Sequence, residues 1–211
     1  MNKKIVYILS IIVLIVVLLP FILNFFKPKY RNVFEEIYHD EYYHATNSFL
    51  RTTSTLNSVP DIEENKTSGL FYGSILEQYR SEALPLGVES ISYSFFFPDD
   101  KLENGNMSIN FRFLHTNGDF IDIYYVYGHN SGKLVQSVGI IGEKRLTEFN
   151  QIMEYVELKK ISLSPYFSTS EELLRNKVIP DWLRVYSSRF SKDNWGDVTI
   201  IHDSVEIQKF E

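Results

Sequence analysis

The sequence predicts an α+β domain, an antiparallel four-stranded meander flanked by helices, preceded by one N-terminal transmembrane helix. Three observations carry this expectation. Ile5 to Phe26 is an apolar run with no charged residue. Four segments between Ile91 and Ile141 are rich in aromatic and β-branched residues and are separated by turn signals. The segments on either side of them return to helical spacing.

The run IVYILSIIVLIVVLLPFILNFF comes first. At about 1.5 Å per residue, a helix of that length spans the roughly 30 Å hydrocarbon core of a bilayer. A cleaved signal peptide would place small residues before the cut. Here the run ends in Leu23, Asn24, Phe25 and Phe26, so it reads as an uncleaved signal anchor. Pro20 lies inside the span, where lipid-embedded helices tolerate it. Residues 1–31 are then an anchor with basic flanks, and residues 32–211 form one domain. Lys3 and Lys4 before the run nearly balance Lys27, Lys29 and Arg31 after it, so charge asymmetry alone does not orient it. The short basic tail resembles the n-region of a secretory signal. It places the domain outside the cytoplasmic membrane, on a single-pass anchor.

Composition narrows the partners. All 27 acidic residues follow Arg31, against 16 of the 21 basic ones, so the domain carries a net charge of −11. Such a domain is repelled by nucleic acid and by anionic lipid, and its charge either favours a basic partner or simply keeps it in solution. With no cysteine there is no disulfide framework, no lipid-attached N-terminal Cys, no thiol catalysis and no thiolate metal site.

Along the domain, residues 32–57 read as a helix, with Phe34, Ile37, Tyr38, Tyr42, Ala45 and Phe49 on one face. Glu35, Glu36, Asp40 and Glu41 fill the rest of its first half. Residues 58–69 read as a loop, and residues 70–83 as a short helix ending before Pro85. The expected strands are 91–97, 107–116, 120–129 and 133–141, with Asn117-Gly118 as the strongest hairpin signal. Residues 143–161 read as a helix. Thr169 opens another through a capping box with Glu172, and Pro180 splits it in two. Residues 197–201 and 204–210 would close the fold as a hairpin.

Signatures of catalysis are missing. There is no G-x-S-x-G elbow, Walker A loop, H-E-x-x-H or dinucleotide-binding glycine fingerprint. His39 and His44 stand five apart on a helix, about 140° from one another, and cannot share a metal without distortion. Glu35 with His39, and Asp40 with His44, are i,i+4 pairs that read as ordinary helix-surface pairing. Asp99 to Asn106 lacks oxygen ligands at the spacing of a calcium loop. His115, His129 or His202 could join scattered serines in a Ser/His/Asp site, but nothing in the sequence singles one out. No catalytic residue, metal or cofactor is therefore expected.

The meander is the most suggestive surface. A three-residue turn at Asn117 to Asp119 places Ile109, Phe111, Phe113, Ile121, Ile123, Tyr125 and Tyr127 on a core face. Asn110, Arg112, Leu114, Asp122, Tyr124 and Val126 then share the opposite face, where charge, aromatic and aliphatic groups mix in a way that suits protein recognition. A turn shorter by one residue would scramble the two faces. Arg112, Asp122 and Tyr124 are the candidate partner-binding residues; the other reading of the same pattern is that flanking helices cover both sides of the sheet. The acidic first half of the 32–57 helix is the alternative surface.

The helix NVFEEIYHDEYYHATNSFL behind a single N-terminal span, and the meander MSINFRFLHTNGDFIDIYYVY, resemble the TipC family of immunity proteins. The resemblance covers nearly the whole chain. It implies a membrane-anchored protein of a low-GC Gram-positive bacterium, facing outward, with a cognate protein toxin as its partner. That toxin would be an LXG toxin delivered by type VII secretion that attacks lipid II, neutralised by direct binding. No residue role carries over from the family. Two other readings remain: a cell-surface hydrolase acting on envelope lipid or peptidoglycan, and a sensor or scaffold of a membrane complex.

Overall fold

Alternation along consecutive strands makes one face of each apolar, and the chain joins those faces into a single sheet. The computed structural model describes residues 29–44, 49–53, 68–73 (backbone), 84–85, 87–99 and 101–202, with Ile15, Leu18 and Leu19. The chain divides into two compact units, Met1–Tyr30 and Arg31–Glu211. In the first, Ile15, Leu18 and Leu19 are helical and exposed. The expected span at residues 5–26 otherwise lies outside the described residues. Among the described residues, no helix is long and apolar enough to cross a membrane.

The second unit is mixed α+β. Its elements are α1 (Val33–Tyr43), α2 (Phe49–Thr53), β1 (Ser68–Gly73), β2 (Val88–Phe96), β3 (Asn106–Leu114), β4 (Phe120–Gly128), β5 (Lys133–Ile141), β6 (Arg145–Leu146), α3 (Phe149–Lys159), α4 (Ser164–Leu173), α5 (Ile179–Val185) and β7 (Thr199–His202). The expected four-stranded meander is present as β2 to β5, but it forms the centre of a seven-stranded sheet in the order β1-β2-β3-β4-β5-β6, with β7 also on β5. All neighbours are antiparallel except β5 and β7.

Several expectations are corrected. The helix expected over 70–83 begins as a strand instead, because β1 satisfies the free backbone edge of β2; residues 74–83 lie outside the described residues. The helix expected over 32–57 stops at Tyr43, where His44 leaves helical geometry (φ −127°, ψ 46°), and α2 follows separately. The start of the helix expected at 143 pairs as β6 with Ile140 and Ile141. α4 opens at Ser164 with Pro165 in its first turn, where a missing N–H costs nothing, so Thr169 lies inside the helix and caps nothing. Pro180 does divide two helical pieces. The turn before it widens to π geometry, Leu174–Val178, and the Ile179 N–H reaches back to the Leu174 carbonyl. The first arm of the expected closing hairpin pairs in parallel, Thr199–His202 with Lys133–Gln136; its second arm, residues 204–210, lies outside the described residues.

The hairpin between β3 and β4 turns one residue earlier than expected. Leu114 pairs with Phe120, and the His115 N–H donates to the Asp119 carbonyl. Gly118 takes φ +92°, a left-handed conformation that favours glycine. Compared with a turn at Asn117 to Asp119, the pairing moves by two residues, so both faces survive. Ile109, Phe111, Phe113, Ile121, Ile123, Tyr125 and Tyr127 are all buried. Among the described residues, α1, α2, α4 and α5 pack aromatic rings on the core side of the sheet. Phe34 of α1 stacks on Tyr127, Phe49 of α2 and Trp182 of α5 meet Tyr93 edge-on, and Tyr166 of α4 meets Phe113. A buried polar chain runs within it: Gln136 Nε2 donates to the Tyr125 hydroxyl at 2.6 Å, which lies 3.0 Å from the Ser170 hydroxyl, while Gln136 Oε1 has no hydrogen-bond partner.

Candidate partner-binding face

The opposite face of the sheet holds the three residues singled out from the sequence. Arg112 and Asp122 stand directly across β3 and β4, between the pairs Asn110–Tyr124 and Leu114–Phe120. The Arg112 guanidinium donates from Nε to Asp122 Oδ1 and from Nη2 to Oδ2, each at 2.8 Å. It also lies over the Phe120 ring, 5.4 Å from its centroid. Tyr124 donates its hydroxyl to Asp122 Oδ2 at 2.9 Å, and Arg145 Nη2 reaches the Tyr124 oxygen at 3.4 Å. The result is a four-residue polar chain on a rigid sheet. The Tyr124 ring lies against Gly139 of β5, where a Cβ would stand 3.3 Å from Tyr124 Cε2.

The electrostatics follow from that geometry. The Asp122 hydrogen bonds hold the Arg112 guanidinium above its ordinary value, against the opposing effect of burial. Burial raises the Tyr124 phenol, and the neighbouring Asp122 carboxylate raises it further. Asp122 has a fully buried side chain, while that of Arg112 is 36 % exposed. The role expected of Asp122 therefore changes. Its carboxylate is enclosed by Arg112 and Tyr124 and presents no charge to a partner; it fixes those two side chains instead. Asn110, Arg112, Tyr124, Val126, Val135 and Ser137 remain half-buried on this face, and Leu114 is exposed. Among the described residues, no helix side chain hydrogen-bonds or stacks on Asn110, Arg112, Asp122 or Tyr124.

The alternative surface, the acidic first half of the first helix, is largely withdrawn from solvent. Glu36 is buried and accepts from the Ser188 hydroxyl and the Arg189 N–H. Glu41 is buried and accepts from the Leu50 N–H. Glu35 is bound by the Arg31 side chain and N–H. These carboxylates hold the helix to its surroundings.

The histidines are dispersed. His115 Nδ1 lies 2.6 Å from the Tyr166 hydroxyl, and His202 meets the Phe167 ring edge-on. Among the described residues, neither these two nor His129 hydrogen-bonds a serine. One cluster was missed in the sequence: Glu35, His39 and His129 bring ligand atoms within 4.8 Å of one another. Glu35 and His39 were legible as an i,i+4 pair, but no local pattern announces a histidine from the β4–β5 turn.

The second unit is thus a mixed α+β domain whose sheet carries helices on one face and, among the described residues, a mixed, half-buried polar face opposite. Over residues 4–203 the chain matches the family model of TipC immunity protein-like proteins, and it belongs to that family. Its fold is similar to that of TipC2 from Streptococcus intermedius B196, with a TM-score of 0.60 and 21 % identity over 83 % of this chain and 97 % of that one. No curated protein matches the chain.

Proposed function

We propose that this chain is a membrane-anchored immunity protein that binds and neutralises a cognate secreted antibacterial toxin outside the cell. Family membership supports the immunity role. The observation that carries the binding mode is the Arg112–Asp122–Tyr124–Arg145 chain, on which no helix side chain hydrogen-bonds or stacks among the described residues. Tyr124 supplies an aromatic anchor whose orientation is fixed before the partner arrives. The net charge of −11 on residues 32–211 steers a basic partner toward the domain. Neutralisation is by stoichiometric binding, with no catalytic step.

The charge-free run at residues 5–26 tethers the domain, and the short basic tail before it keeps the N-terminus in the cytoplasm. The exposed helical residues Ile15, Leu18 and Leu19 accord with a lipid-facing helix. The toxin of this reading is an LXG protein of a type VII secretion system acting on lipid II, so interception belongs on the outer side of the membrane.

The test is protection. Cells exporting the cognate toxin should survive only when the chain is present with its anchor. Protease shaving of wall-stripped cells should degrade the domain. Full protection from protease, or survival without the chain, would refute the proposal.

A further inference from the structure

We propose that Glu35, His39 and His129 form a zinc site that staples α1 to the turn between β4 and β5. The ligand atoms of these three side chains already lie within 4.8 Å of one another. Zinc with nitrogen ligands at about 2.0–2.1 Å in tetrahedral geometry holds its ligand atoms roughly 3.4 Å apart. Side-chain rotation of Glu35 and His39, one helical turn apart on α1, supplies the difference. One carboxylate with two imidazoles suits zinc and not magnesium or calcium, which take oxygen ligands.

The surroundings orient the donors. The His129 ring stacks on Tyr38, with centroids 5.3 Å apart and planes 9° from parallel. His39 stacks on Tyr43 at 5.9 Å and meets the His129 ring edge-on at 5.1 Å. His129 Nδ1 is buried with no hydrogen-bond partner, so the ring keeps a nitrogen uncommitted to the protein. Arg31 Nη2 donates to the His129 carbonyl at 3.0 Å, beside its bond to Glu35. The Glu35 side chain is 12 % exposed, and it is an acceptor with two oxygens for a metal and a hydrogen bond to share.

Arg31 is the resident competitor. Its guanidinium holds Glu35 from Nε and Nη2 at 3.0–3.2 Å, yet the Arg31 side chain is 48 % exposed. A half-exposed guanidinium turns into water at small cost, and zinc takes its place on the carboxylate. Solvent fills the fourth coordination position. This site stands apart from the open sheet face and does not depend on the toxin reading.

The experiment is calorimetric titration of the full chain in detergent with zinc alone. One zinc per chain is expected, with the melting temperature rising by roughly 5–10 °C at a hundredfold excess over Kd. His129→Phe keeps the stack on Tyr38 and removes both nitrogens; it should weaken zinc binding at least about tenfold, as should Glu35→Gln. Arg31→Ala should tighten binding about threefold or more by removing the competing cation. Magnesium and calcium should not compete. Absence of saturable one-to-one binding, or unchanged affinity in both His129→Phe and Glu35→Gln with the fold intact by circular dichroism, would overturn the site. Weaker binding in Arg31→Ala would overturn the displacement.

Discussion

The Arg112–Asp122 pair makes an asymmetric prediction, because one partner is enclosed and the other is not. Asp122 has no exposed side-chain surface and Arg112 has 36 %. Arg112→Met keeps the cover over the carboxylate and removes both donors at 2.8 Å, which leaves a buried charge with the Tyr124 hydroxyl alone. Removing one partner of a fully buried pair costs about 3–5 kcal/mol, and the partial exposure here lowers that to roughly 2–3 kcal/mol. Asp122→Asn keeps an acceptor opposite Arg112 and leaves a guanidinium that water reaches, for a loss of about 1 kcal/mol. The double variant Arg112→Met with Asp122→Asn should recover much of the deficit, a coupling of about 1 kcal/mol or more. Urea unfolding of the Arg31–Glu211 unit measures all three, and the slope with denaturant should be unchanged. If Arg112→Met costs no more than Asp122→Asn, the burial asymmetry does not govern the pair and the reasoning fails.

Three further outcomes follow from other parts of the fold. Asn32 is buried, caps α1 by accepting from the Glu35 N–H at 2.9 Å and donates to the Asp197 carbonyl at 2.9 Å; Asn32→Ala should cost about 2 kcal/mol in urea unfolding. Burial raises the Glu35 carboxyl, but the Arg31 hydrogen bonds and the charges of Arg31 and His39 outweigh it and hold the group below its ordinary value. The Glu35 contribution is thus present above its unfolded value of about 4.3 and lost as pH falls through the folded one, so Glu35→Gln should flatten acid unfolding below about pH 4. Tyr38, Tyr125 and Tyr127 are pushed up to about 12 by burial. Stability should then fall as pH rises from about 10 through 12, and an ultraviolet titration should show these phenols ionising only with unfolding. Ionisation of all tyrosines near pH 10 in folded protein would contradict their burial.

The sheet was legible where information is local. Alternating aromatic and β-branched residues located β2 to β5 within a few residues, and the division of β3 and β4 into two faces held although the turn came one residue early. A two-residue change of pairing keeps every side chain on its own face, which is why Arg112, Asp122 and Tyr124 still meet. Non-local choices were not legible. Ser68–Gly73 became a strand because β2 had a free edge, and Thr199–His202 joined β5 in parallel across a long connection. The burial of Glu36 depends on Ser188 and Arg189 arriving from the far end of the domain. The burial of Asp122 depends on how its neighbours fold over it, which residue type alone does not specify. His129 joins Glu35 and His39 only because the β4–β5 turn reaches the start of α1.

The central claim is that the open sheet face meets the toxin, and calorimetric titration of the purified toxin into wild-type and Tyr124→Ala chains tests it most directly. Truncating an aromatic hot spot costs about 2 kcal/mol or more, so affinity should fall at least about thirtyfold with one-to-one stoichiometry retained. Unchanged affinity in Tyr124→Ala, with the fold intact by circular dichroism, would contradict the account and place the toxin on another surface.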